Sequence, residues 1–250
     1  MLGANIYDIF IFNNSGVLTL GTGPVWTSSA AGASSRGTGA GTTQLTTING
    51  INVNNNTITL VNGATSFPSV AANTATFLGS IFTDGGNTIT CHRTVGQNRR
   101  WGLWNAFNRQ PLVLMVTDPT PSWNYGASVV RPANNSTANQ LTAFTGLAEE
   151  IVYSTFTARP SIAASSNNNL AAASIGFNSS TFSQGTLGIC GMSPLATTVT
   201  AGSTITAIFN AITPLGNNNW TALESGNSGG ASITWNGQIF NMLLQATWRG

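Results

Sequence analysis

The chain has 250 residues, 41% of them hydrophobic, enough to bury a sizeable core in one large β domain or two smaller ones and too apolar for general disorder. Only 6% of residues are charged, against roughly 25% in ordinary soluble chains; eight basic residues, all arginine, face six acids for a formal net charge of +2. That supply excludes a phosphate-binding face, since the densest basic run is Arg93, Arg99 and Arg100, and no apolar run reaches the roughly 18 residues of a membrane span.

Residues 6–12 form an apolar run rich in β-branched and aromatic side chains. With Asp8 inside it, and neither a basic flank nor a small-residue cleavage site, it reads as a strand and not a secretory leader. Asn13-Asn14-Ser15-Gly16 is a turn and residues 17–20 resume the strand pattern, which predicts a hairpin over 6–20. A folded element this near Met1 suggests a preceding piece that is missing or supplied elsewhere. Residues 27–43 are almost all Ser, Ala, Gly and Thr, too small-sided to pack a core, and predict a long surface loop. Its segment Gly37-Thr38-Gly39-Ala40-Gly41 is a flexible stretch and not a phosphate cradle, because the chain has no lysine and no helix follows.

Strands are expected at 44–53, 57–61 and 76–82, between Asn/Gly turns. Turn residues and arginines dominate 84–100 and mark a domain boundary, and 101–108 is the one place for a short turn of helix. Beyond it, strands are expected at 112–117, 123–130, 140–145, 151–157, 171–177, 186–190, 197–200, 204–209, 220–224 and 238–248, separated by Pro, Gly and Asn turns. The chain is thus predicted to be all-β, with a small N-terminal β domain over 1–98 and a jelly-roll-like β-sandwich over 99–250.

Catalytic supply is thin: one histidine, two thiols, three tyrosines and six carboxylates. His92 lies in the turn-rich linker and reads as a solvent-facing or hydrogen-bonded histidine. Cys91 and Cys190 have no metal-ligand spacing and read as two buried reduced thiols. Glu149-Glu150 is the one neighbouring carboxylate pair; in a strand the two point to opposite faces, so one is expected to bind Arg131 or Arg159 and the other to face water. Asp84, Asp118 and Glu224, beside Gly, Pro or Ser, are expected in turns, and a depolymerase pair among them is the remaining enzymatic alternative. The expectation is no enzyme, no cofactor and no metal. Sugars bind through aromatic faces and neutral amides, so Trp123, Asn124, Tyr125, Trp220 and Trp235 are the candidate glycan-binding residues.

Five segments carry a resemblance. Residues 7–20, Tyr-Asp-Ile-Phe-Ile-Phe-Asn-Asn-Ser-Gly-Val-Leu-Thr-Leu, resemble a "YDVFxYNNxGTxTL" hairpin, and Trp26-Thr27 matches the "W-T" turn after it. Residues 76–83 resemble an "RYLGTIRT" strand, residues 100–109 an "RFVWNYYNR" element, and the closing Ala246-Thr247-Trp248-Arg249-Gly250 is similar to the end of such chains. These motifs belong to virion surface proteins of tailed bacteriophages. The resemblance implies an oligomer, a trimer, exposed on the exterior surface of the virion as a fibre or decoration component that contacts other capsid, collar or tail proteins. Some such proteins bind host-surface glycans, so a tail adhesin for a host polysaccharide is the alternative. Nucleic-acid binding and membrane insertion are not expected.

Overall fold

The structure, a computed structural model, describes residues 3–91, 100–163, 169–192, 201–227 and 233–250. It is all-β. The opening hairpin pairs β1 (Ile6–Asn14) with β2 (Val17–Val25), turning at Ser15 and Gly16, both with positive φ. The first sheet continues with β3 (Leu45–Ile48), β4 (Ile51–Asn54), β5 (Ile58–Asn62), β6 (Thr65–Val70) and β7 (Ala75–Phe82), paired in the order β3-β4-β7-β1-β2-β5-β6. β8 (Arg100–Trp101) then pairs with a strand of the second part of the chain, while β9 (Leu103–Asn105) returns to pair with β7.

The second part contains β10 (Pro111–Val116), β11 (Ser122–Asn124), β12 (Arg131–Pro132), a 3-10 turn (Ala133–Asn135), β13 (Gln140–Thr145), β14 (Ile151–Ile162), β15 (Asn169–Phe177), β16 (Gln184–Met192), β17 (Ala201–Gly202), β18 (Ile205–Ile212), β19 (Gly216–Gly226), β20 (Ile233–Asn236) and β21 (Met242–Arg249). Its eight long strands form two sheets, β10-β21-β14-β18 and β13-β19-β15-β16. Numbered along the chain these are 1-8-3-6 over 2-7-4-5, the order of a jelly roll. Burial alternates along β14 over its whole length, the period-2 signature of a strand with one face on a core. Between the sheets lie Leu114, Phe156, Ala173, Trp220, Trp235 and Leu244, all buried.

The connections of such a fold alternate between its two ends. Those at 146–150, 178–183 and 213–215 lie at the end that meets the first sheet. Phe144 of β13 is buried in the first sheet's core with Phe10, Phe77 and Trp104. The buried Asn217 donates its backbone N–H to Ser34 Oγ at 3.1 Å and its Nδ2 to the Ser29 carbonyl at 3.0 Å. The connection at 117–139 and the described residues 233–241 lie at the opposite end.

Several expectations are corrected. No helix forms at 101–108: Gly102 is tied by backbone bonds to Phe82 and Thr90, and the Asn105 carbonyl Oδ1 accepts from the amides of Phe107 and Asn108, a side-chain turn in place of a helical one. The expected strand 44–53 is a hairpin turning at Asn49-Gly50, both with positive φ. The strand at 123–130 stops at Asn124, and that at 238–248 starts at Met242 because Gln238 has a φ of 65° in a turn. β6 was not expected from its sequence, which holds Pro68; it is an edge strand with a register shift beside Pro68 and Ser69, where a missing N–H costs no ladder bond. Cys91 is half-buried and bridges backbone with Trp101, not buried as expected. The boundary at 98/99, His92, Arg93, Arg99 and the strand at 197–200 lie outside the described residues.

Candidate functional site

The loop 27–43 does not hang free. Trp26, Arg36 and Thr43 are buried, and Arg36 reaches Asp8 of β1 through Nε at 2.6 Å and Nη2 at 3.1 Å. The same Nη2 donates to the Gly146 carbonyl at 2.6 Å, and the guanidinium lies over the rings of Trp26 and Phe77, 4.3 and 5.1 Å from their centroids. Thr43 Oγ1 and Ser80 Oγ complete the shell of Asp8. A buried carboxylate therefore has a full set of donors, as it must, and one of them joins the first sheet to the jelly roll.

A second arginine works at the same junction. Arg109 bonds both Glu149 and Glu150 and lies 4.5 Å from the Trp104 ring centroid. The two glutamates occupy the turn ahead of β14, not a strand, and neither meets Arg131 or Arg159. They converge on one cation, where alternation in a strand would have parted them.

The candidate glycan residues divide. Trp220 is fully buried mid-strand against Phe177 at 5.1 Å, and Trp235 is 1% exposed with its Nε1 donating to the Tyr125 carbonyl at 2.9 Å. Neither presents a face to a ligand, so both are corrected to core residues. Trp123, Asn124 and Tyr125 do come together at the jelly-roll end remote from the first sheet. Trp123 stands opposite Trp235 in the β11–β20 pair, Asn124 is exposed with its Oδ1 accepting from Thr234 Oγ1, and Tyr125 OH donates to the Val129 carbonyl at 2.6 Å.

The hub of this end is Glu224 on β19, which is fully buried. Its carboxylate accepts from Trp123 Nε1 at 2.7 Å, Arg131 Nε at 2.9 Å and the Asn134 amide at 3.2 Å, and Arg131 in turn covers the Tyr125 ring at 3.5 Å. Burial pushes the Glu224 pKa up to about 7, against the opposing pull of Trp123 and Arg131. Asp118, across Asn134, shifts the other way: burial opposes its ionisation, but donors from Asn139, Thr120 and Asn134 outweigh it and hold the pKa below the usual range. Asp84, tied by Thr90, Thr88 and Gly86 in an exposed turn, is likewise lowered. The sequence signal missed here was pairing: residues 93 apart, Arg131 and Glu224, become cross-strand partners in β12 and β19.

The spacing Gly-x-Ser-x-Gly occurs at 226–230, but it joins β19 to β20 with no helix after it, and Ser228 lies outside the described residues. An open groove of about 640 Å³ lies at the tip of the β1–β2 hairpin beside β6, lined by Asn13, Asn14, Ser15, Phe67, Pro68 and Ser69 among others, none charged.

No family model matches the chain, and no curated protein matches it by sequence.

Proposed function

We propose that this protein is a passive, assembly-forming β module of a tailed-phage virion surface, of the fibre or decoration kind. One observation carries the reading: all six carboxylates of the chain hold structure together. At the junction with the jelly roll, Asp8 of the first sheet holds Arg36, and Glu149 and Glu150 of the turn ahead of β14 hold Arg109. Asp84 closes a turn, and Asp118 and Glu224 fasten the remote loops. Chemistry that could be aimed at a substrate is spent instead on rigidity. The jelly-roll strand order and the motif resemblance of 7–20, 76–83 and 100–109 support the virion setting.

Immunogold labelling of intact particles with an antibody to this chain tests the proposal. Label over the head is expected for a decoration protein or head fibre, label at the tail for a tail fibre, and no label on any particle overturns the virion reading. The adhesin alternative has one observation in its favour, the placing of Trp123, Asn124 and Tyr125 on loops remote from the first sheet. Glycan-array binding lost in Trp123→Ala would favour it, and uniform absence of binding would count against it.

A further inference from the structure

The first sheet has two faces, and among the described residues only one is covered. Alternation sends Phe10, Phe77 and Trp104 into the core shared with the jelly roll and leaves Ile9, Ile11, Leu18, Leu20, Leu78 and Leu103 on the other side. Register makes them contiguous: Ile11 stands opposite Leu20, Ile9 opposite Gly79, and Leu103 opposite Ile81. Leu18 is 75% exposed, Leu20 51% and Leu103 42%. Between Leu20, Leu78 and Leu103 the face dips into a hollow over Gly79, where a Cβ would meet the Trp104 carbonyl at 2.3 Å.

Together these side chains leave on the order of 400 Å² of apolar surface in water, close to the apolar share of the roughly 800 Å² that each partner buries in a standard stable interface. Charge names the occupant. The strands of this sheet carry a single charged residue, Asp8, and it is turned to the buried side against Arg36. A partner recognised by complementary charge would find nothing to pair with here. A second copy of the same face brings no like charges together, and a protruding Leu18 suits a hollow on its neighbour.

We propose that the outer face of the first sheet is the interface between copies of this chain. The proposal deepens the assembly reading by naming the surface and its occupant, and it is tested apart from the particle. Sedimentation velocity of the purified full chain at micromolar concentration is expected to show an oligomer. The variant Leu20→Asp/Leu103→Asp is expected to sediment as a monomer with an unchanged circular dichroism spectrum. Tyr153→Asp, on the exposed face of the jelly-roll sheet, is expected to leave the oligomer intact. A monomeric wild type overturns the proposal, even if it captures some other virion protein. So does an oligomer that survives Leu20→Asp/Leu103→Asp, or one dispersed by Tyr153→Asp. Should the double variant not fold, Leu18→Ser is expected to raise the dissociation constant at least tenfold, and an unchanged constant overturns the proposal. Immunogold failure would leave these results standing, so the two readings fail separately.

Discussion

Glu224 is the residue whose ionisation bears most on stability. Its ordinary pKa is 4.5 and its folded value about 7, so between those values the folded chain keeps a proton that the unfolded chain has lost. The contribution is therefore complete below about pH 4.5 and is lost as pH rises through 7, to a total of about 3 kcal/mol. Asp118 has the opposite sign, because a lowered folded pKa withdraws stability as pH falls through it. Glu224→Gln keeps a neutral acceptor for Trp123 and Arg131 while removing the titration. Urea unfolding of both forms at pH 4.5, 6 and 8 is expected to show the wild type losing ground to the variant as pH rises. A constant difference across that range would mean that Arg131 keeps the carboxylate ionised throughout.

Among the elements, the turn between β13 and β14 is tightly constrained from both sides of the junction. A Cβ on Gly146 would fall 2.3 Å from Cε3 of Trp104, whose ring is itself pinned by Arg109 and Phe77. The same residue presents the carbonyl that Arg36 uses. Gly146→Ala is expected to cost about 1–3 kcal/mol by overpacking, read as a lower melting temperature, and an unchanged melting temperature would show that the ring can shift.

The elements also show how much of this molecule was legible beforehand. The opening hairpin was, because Asn-Asn-Ser-Gly between two apolar runs admits little else, and most jelly-roll strands were, because one buried face imposes a period of two. β6 was not, since a proline in so short a run argues against a strand unless it is known to lie on an edge. The glutamate pair was misread through its setting: alternation was applied to a turn. Of the candidate residues, Asn124 is exposed and Trp123 and Tyr125 are half-buried against the core, while Trp220 and Trp235 are buried outright, because an aromatic between polar residues looks the same in sequence whichever way its strand faces. Arg36 was hidden by its company, one cation in a tract of Ser, Gly and Ala that otherwise says loop.

At the scale of the whole molecule, the two parts share a core and not merely a seam. Phe144 is inserted among first-sheet residues, β8 and β9 pair on opposite sides of Gly102, and Arg36 and Arg109 each bridge the junction. Denaturant unfolding of the full chain is therefore expected to be a single transition, coincident by tryptophan fluorescence and circular dichroism. Arg36→Ala, which strands the buried Asp8 carboxylate, is expected to cost about 3–5 kcal/mol and to part the two probes. Two transitions in the wild type would show that the shared core contributes little cooperativity.

The alternation of jelly-roll connections between two ends has a consequence for how such a chain can change. The turns at 146–150 and 213–215 are committed to the first sheet and the loop beside it, and an added residue there has to be absorbed by packed backbone. The described residues of the connections at the other end, 117–139, 227 and 233–241, are fastened to the jelly roll alone, through Glu224, Asp118 and the Tyr125 carbonyl. Length and composition are free to drift only at the exposed tips of that crown, such as Ile239 and Phe240, so a foreign peptide grafted there would be carried outward on a scaffold that does not register its presence.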